Sequence, residues 1–121
     1  MSERERDDGG PGDRLTVEVR QDGHDPGLRV AGEIDVFTAP SLADGLSQIM
    51  AMPGERAVID LEGVTFIDST GLRVLIEADQ RMRDAEGVLV LSRPSRAVVR
   101  LLELTALVDW LTVEPSIVPG A

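Results

Sequence analysis

Hydrophobic positions change period several times along the chain, and each change marks a predicted element. In "LTVEVR" Leu15, Val17 and Val19 alternate with Thr16, Glu18 and Arg20, the two-residue period of a strand with one face in water. After the turn-forming "DGHDPG" (22–27), "LRVAGEIDV" (28–36) returns as a second strand, so the two are expected to pair antiparallel. The period then lengthens: Leu42, Leu46, Ile49 and Met50 share one face of a helix that Thr38 can cap, Pro40 can open and Pro53-Gly54 stops. "RAVIDLEGVTFI" (56–67) is nearly continuous in apolar residues, as a central strand covered on both faces would be, with a kink or bulge available at Gly63.

A second helix follows at once, with Leu72, Leu75, Ile76 and Met82 inward, Arg73, Glu77 and Arg81 outward, and an end near Gly87. "VLVLS" (88–92) is another buried strand, Pro94-Ser95 opens a third helix burying Val98, Leu101 and Leu102, and "WLTVE" supplies a short last strand. The predicted order is β-β-α-β-α-β-α-β. Strands linked through helices run parallel with right-handed crossovers, so the fold class is α/β: a mixed β-sheet with helices packed against it. Residues 1–13 hold charges, three Gly and one Pro and are expected to form a disordered tail. The domain is expected over 14–115, and 116–121 as a flexible C-terminal end.

Composition removes many functions. A chain of 121 residues suits one domain able to fold without staples. The absence of cysteine excludes disulfides, thiolate metal sites and cysteine nucleophiles. "MSERERDDGGPGD" is charged where a signal peptide is apolar, and no apolar run approaches the roughly 20 residues that cross a bilayer, so a cytoplasmic location without membrane contact is expected. A net charge of -10 argues against nucleic acid, which needs clustered Lys and Arg. Three aromatics, Phe37, Phe66 and Trp110, offer no stacking platform for bases.

Catalytic constellations are equally scarce. His24 is the single histidine and sits in a turn, so neither a Ser-His-Asp triad nor a paired-histidine metal site assembles within one chain. No glycine-rich phosphate loop is present, and "DGHDPG" lacks the ligand alternation of a calcium loop. No catalytic residue, metal or cofactor is expected. Glu62, Glu77, Asp79, Glu86 and Glu103 read as solvated faces. Asp35 and Asp68 differ, because each follows an apolar strand segment and, if those strands run the same way, both lie at the sheet edge where sites of α/β folds gather.

Between them in interest stands Ser69, and two readings of it remain open. Asp and Ser are preferred helix N-caps, so "DSTG" can be an ordinary helix start. A hydroxyl at a helix N-terminus is also exposed, and a phosphate there would meet free N–H groups and the positive end of the dipole.

"VAGEIDVFTAPSL" and "LEGVTFIDSTGLRVL" resemble the two signature stretches of the STAS domain, specifically the small stand-alone anti-sigma-factor antagonists of bacteria, with the likeness covering about residues 14–115. Its centre is Asp68, Ser69, Thr70, Gly71 and Leu72, preceded by Val64 and Phe66. The resemblance implies that Ser69 is phosphorylated by the anti-sigma factor, a serine kinase, and that a PP2C-like phosphatase reverses this. It makes Asp68 the flanking acid and Asp35 the acid of the Gly-Glu-Ile-Asp stretch. The partner surface is expected to comprise Asp35, Asp68, Thr70, Gly71, Arg73, Glu77 and Arg81 on a monomer or weak dimer. One departure is Ala106, where many relatives carry glycine. The implied function is an antagonist that binds the kinase when unphosphorylated, releasing a sigma factor. The alternative is a STAS subunit of a signalling or transport-accessory assembly with no phosphorylation switch; an enzyme is disfavoured for want of a phosphate loop or base.

Overall fold

The computed structural model describes residues 14–115; the tails expected at 1–13 and 116–121 lie outside the described residues. β1 (Leu15–Asp22) pairs antiparallel with β2 (Asp25–Ile34) in a register running from Leu15↔Gly32 to Asp22↔Asp25. The connection is tighter than expected, because the ladder consumes most of the presumed turn. Only Gly23 and His24 remain as the loop, with Gly23 at φ +66°, the conformation that two-residue hairpins demand.

From β2 onward every strand is reached through a helix and runs parallel: α1 (Ala39–Met50), β3 (Arg56–Ile67), α2 (Ser69–Asp84), β4 (Val88–Ser92), α3 (Arg96–Leu104) and β5 (Thr112–Glu114), in a sheet ordered β1-β2-β3-β4-β5. Each crossover advances one strand in the same direction, so right-handedness places the helices on one face. Leu42, Leu46 and Ile49 of α1, Leu72, Leu75 and Met82 of α2, and Val98 and Leu102 of α3 join Ile59, Leu61, Leu89 and Leu91 in a single core.

This corrects the expectation of a β3 covered on both faces. Val58 is buried, but its outward neighbours Asp60 and Glu62 instead hold Arg93 at 2.5 and 3.1 Å. The apolar run has another cause. The β2–β3 register slips twice, between Arg29 and Ala31 and between Gly32 and Glu33, and β3 carries the extra residue each time. Each bulge inverts the side-chain alternation, so Leu61, Val64 and Ile67, spaced by three, are all buried.

Asp79 is a second correction. Far from being solvated, it is 2% exposed, and Arg83, one turn on, grips its carboxylate at 2.7 Å. Arg83 also donates to the Trp110 carbonyl at 2.6 Å and lies 5.0 Å from the centre of its ring, fastening α2 to the segment before β5. At the end of α3, Ala106 adopts φ +59° while the N–H of Leu107 donates to the Leu102 carbonyl and that of Ala106 to Glu103. That closure favours glycine, which is the physical content of the departure noted at this residue.

Candidate partner-binding site

β2 and β3 end side by side, with Ile34 opposite Ile67 and the Asp68 N–H donating to the Ile34 carbonyl at 3.2 Å. Parallel strands therefore bring Asp35 and Asp68 to one sheet edge, as expected. Their duties are local. Asp68 holds an extended backbone and its Oδ1 accepts from the N–H groups of Thr70 at 2.9 Å and Gly71 at 3.2 Å. It is the cap of α2, which satisfies two of the four N–H groups a helix start leaves open.

Ser69 is consequently the first residue inside the helix. Its side chain is exposed, and its hydroxyl makes no hydrogen bond within the described residues. Of the two readings of this serine, capping falls to its neighbour. Gly71 is buried and cannot carry a side chain: a Cβ there would lie 2.4 Å from Ile34 Cγ2 and 3.0 Å from Ile67 Cγ1. It contributes by letting the helix start sit on the strand tips.

The β2–α1 loop is built around Asp35. Its Oδ1 accepts from the N–H of Phe37 at 2.9 Å and of Thr38 at 3.1 Å, and its other oxygen lies 2.8 Å from Arg14. Partial burial pushes this carboxyl up, but the N–H groups of Thr38 and Phe37 together with Arg14 outweigh it and hold it below the ordinary carboxylate range. Thr38 does not cap α1 with its side chain. Its hydroxyl instead donates to the Glu33 carbonyl at 2.8 Å and accepts from the Asp35 N–H at 2.9 Å. Arg14 also meets Glu33 at 3.2 Å and sits 5.9 Å from the centre of the Phe37 ring. It approaches so closely because Gly32, at φ +112°, leaves room for the Arg14 carbonyl, which a Cβ would meet at 2.0 Å.

Arg73 is exposed one turn after Ser69, on the same helical face. Thr70 is half-buried. Glu77 and Arg81 are exposed but line a shallow cleft of about 80 Å³ toward α1, where Arg81 reaches Ser47 at 3.4 Å. The structure thus brings together Ser69, Asp68, Thr70, Asp35 and Arg73, and sets Glu77 and Arg81 further along the helix. Sequence reasoning missed the apolar part of this edge: Val36, Phe37 and Phe66 are 60%, 66% and 49% exposed. Val36 continues the two-residue period of Leu28, Val30 and Ile34 and reads as the end of the strand, which stops at Ile34; only Phe37 carried a signal, since it fits neither the strand period nor the helical one. No cluster that could hold a metal ion occurs among the described residues.

A sheet with helices on one face, two acids at adjacent strand tips and an exposed serine opening α2 define an α/β domain whose features gather at one sheet edge. The STAS domain family model matches residues 16–118. The anti-sigma-B factor antagonist of Listeria monocytogenes is 35% identical over 101 residues, 83% of this chain and 89% of that protein. That of Bacillus subtilis is 34% identical over 99 residues, 82% and 90% of the two chains. The chain belongs to the STAS-domain family of anti-sigma factor antagonists. The crystal structure of an anti-sigma factor antagonist from Mycobacterium paratuberculosis superposes with a TM-score of 0.76 at 28% identity, covering 89% of this chain and 92% of that one. Unphosphorylated SpoIIAA shares the fold at a TM-score of 0.62 and 16% identity, over 81% and 87%. No helix among the described residues is long and apolar enough to cross a membrane.

Proposed function

We propose that this protein is a non-enzymatic switch acting in the cytoplasm: unphosphorylated, it captures an anti-sigma factor that is also a serine kinase, and phosphorylation of Ser69 releases that partner until a PP2C-like phosphatase restores it. The observation that carries the reading is the division between Asp68, which caps α2, and Ser69, whose exposed hydroxyl has no hydrogen-bond partner among the described residues. Val36, Phe37 and Phe66 supply apolar contact area around it, and Arg73 a charge. A phosphate would add about -1.5 to -2 charges at that point. A thousandfold loss of affinity needs only about 4 kcal/mol, well within the cost of burying an uncompensated phosphate. The gain from the helix dipole, about 0.3–1 kcal/mol, belongs to free and bound forms alike and cannot cancel it.

Incubation with the cognate anti-sigma factor and ATP-Mg, followed by peptide mapping, tests the reading. One phosphate on Ser69, none on Thr70, and none after Ser69→Ala is the expected result. Label on Thr70, or label acquired from ATP without the partner, would overturn it, and capture without any labelling would favour a STAS subunit that lacks the switch.

A further inference from the structure

β4 pairs only with Arg56–Asp60 of β3, so the far end of β3 has no strand on that side and α3 lies there instead. The helix does not fill the space. Phe66 and Ile67 on one wall and Arg96, Arg100, Leu101 and Leu104 on the other border a groove of about 440 Å³. Leu104 is 77% exposed and Phe66 49%. Single exposed apolar side chains are ordinary, but two large ones facing the same groove mark a contact surface.

The charge of the rim says what would fill it. Arg96 and Arg100 stand four residues apart on one helical edge and, like Arg20, Arg29, Arg73 and Arg81, form no ion pair among the described residues; what sets them apart is that both border the same apolar groove. Like charges at that spacing destabilise a helix slightly. In a chain of net charge -10, two neighbouring unneutralised cations beside an apolar strip are complementary to an acidic, amphipathic segment. The groove begins close to the switch in the chain, since its lining residue Ile67 precedes Ser69 by two positions.

We propose that this groove docks an acidic amphipathic segment of the anti-sigma partner, with its apolar side chains against Phe66, Leu101 and Leu104 and its carboxylates on Arg96 and Arg100. The proposal rests on the partner reading above and gives it a second, separate contact. Two probes test it. In the first, a short synthetic helix with leucine on one face and glutamate elsewhere is titrated into the isotopically labelled protein, beside a twin in which lysine replaces glutamate. The acidic peptide is expected to shift the amides of Phe66, Arg100 and Leu104 and the basic twin to leave them unmoved; equal effects, or shifts confined elsewhere, overturn the proposal.

The second probe is the purified cognate anti-sigma factor with the double variant Arg100→Glu, Leu104→Ser, both exposed positions, whose folding is checked by thermal unfolding. At least a tenfold weaker capture than wild type is expected, with a shallower salt dependence. Equal capture by both proteins overturns the groove and leaves the Ser69 reading standing, while no capture by either overturns both. A wild-type dimer that the variant breaks into monomers would give the groove to a second copy of this chain and overturn the proposal as well.

Discussion

Exchanging the roles of two adjacent residues gives the sharpest test of the site. Asp68 accepts two N–H groups at 2.9 and 3.2 Å, so Asp68→Ala leaves both unsatisfied and should destabilise by about 1–2 kcal/mol. For a folded unit near 100 residues each kcal/mol moves Tm by about 4–8 °C, so a fall of about 5–15 °C is expected. Ser69→Ala removes no structural hydrogen bond and installs a better helix former, so its Tm should stay within the shift of about 0.5 kcal/mol typical of surface positions. Ser69→Asp puts a negative charge beside the positive end of α2 and should also keep the fold. Binding should follow a different order. Calorimetric titration with the anti-sigma factor should find Ser69→Ala close to wild type and Ser69→Asp markedly weaker. If Ser69→Ala lowers Tm as far as Asp68→Ala does, Ser69 shares the structural work and the division between the two residues fails; if the two Ser69 variants bind alike, charge is not the switch.

Gly71→Ala should lose about 1–2 kcal/mol in chemical denaturation despite alanine's helix preference, because its Cβ would collide with Ile34, which is fully buried. Between the partners of the α2 ion pair the loss should be unequal. Arg83→Ala strands a buried Asp79 carboxylate and should cost about 3 kcal/mol, the low end for a broken buried pair because the arginine is half-exposed, whereas Asp79→Ala frees an arginine that is already 47% exposed and should cost about 1 kcal/mol; equal losses would refute the asymmetry. Asp35, whose folded pKa is depressed, contributes stability that is fully present above its unfolded value of about 3.9 and is lost as pH falls through the lower folded value. Urea titrations across that acid range should show Asp35→Asn with a weaker pH dependence than wild type, and an unchanged slope would show that this carboxylate is not the group responsible.

Element order and the parallel sense of the strand tips were legible because they follow from period and connection length. "GEID" and "TFID" placed Asp35 and Asp68 at one edge, and the structure agrees. What periodicity could not show was which neighbour of a capping pair holds the helix: Asp68 and Ser69 are both good caps, and only backbone geometry separates them. The apolar run of β3 was read as two-sided cover, whereas two bulges bring Leu61, Val64 and Ile67 to the same face, a three-residue spacing invisible to a search for alternation. Asp79 was hidden for a related reason. Its burial depends on Arg83 folding over it toward Trp110, a contact across 27 positions that no local pattern encodes. Asp35, read as a surface contact, proved to be the post around which its loop is wound, and the exposed Val36 and Phe37 are what that loop presents.

The separation of Asp68 from Ser69 also bears on how such proteins can diverge. A residue that folds the chain and a residue that takes a signal are usually hard to change independently when they are one and the same. On the proposed function they are adjacent but distinct, so a single codon change at Ser69 would erase or restore the proposed regulation without passing through an unfolded intermediate. Drift at Asp68 or Gly71, by contrast, would be opposed in every descendant, regulated or not. If Ser69 is the acceptor proposed above, that chemistry is free to be gained and lost across a lineage while the scaffold beneath it stays fixed.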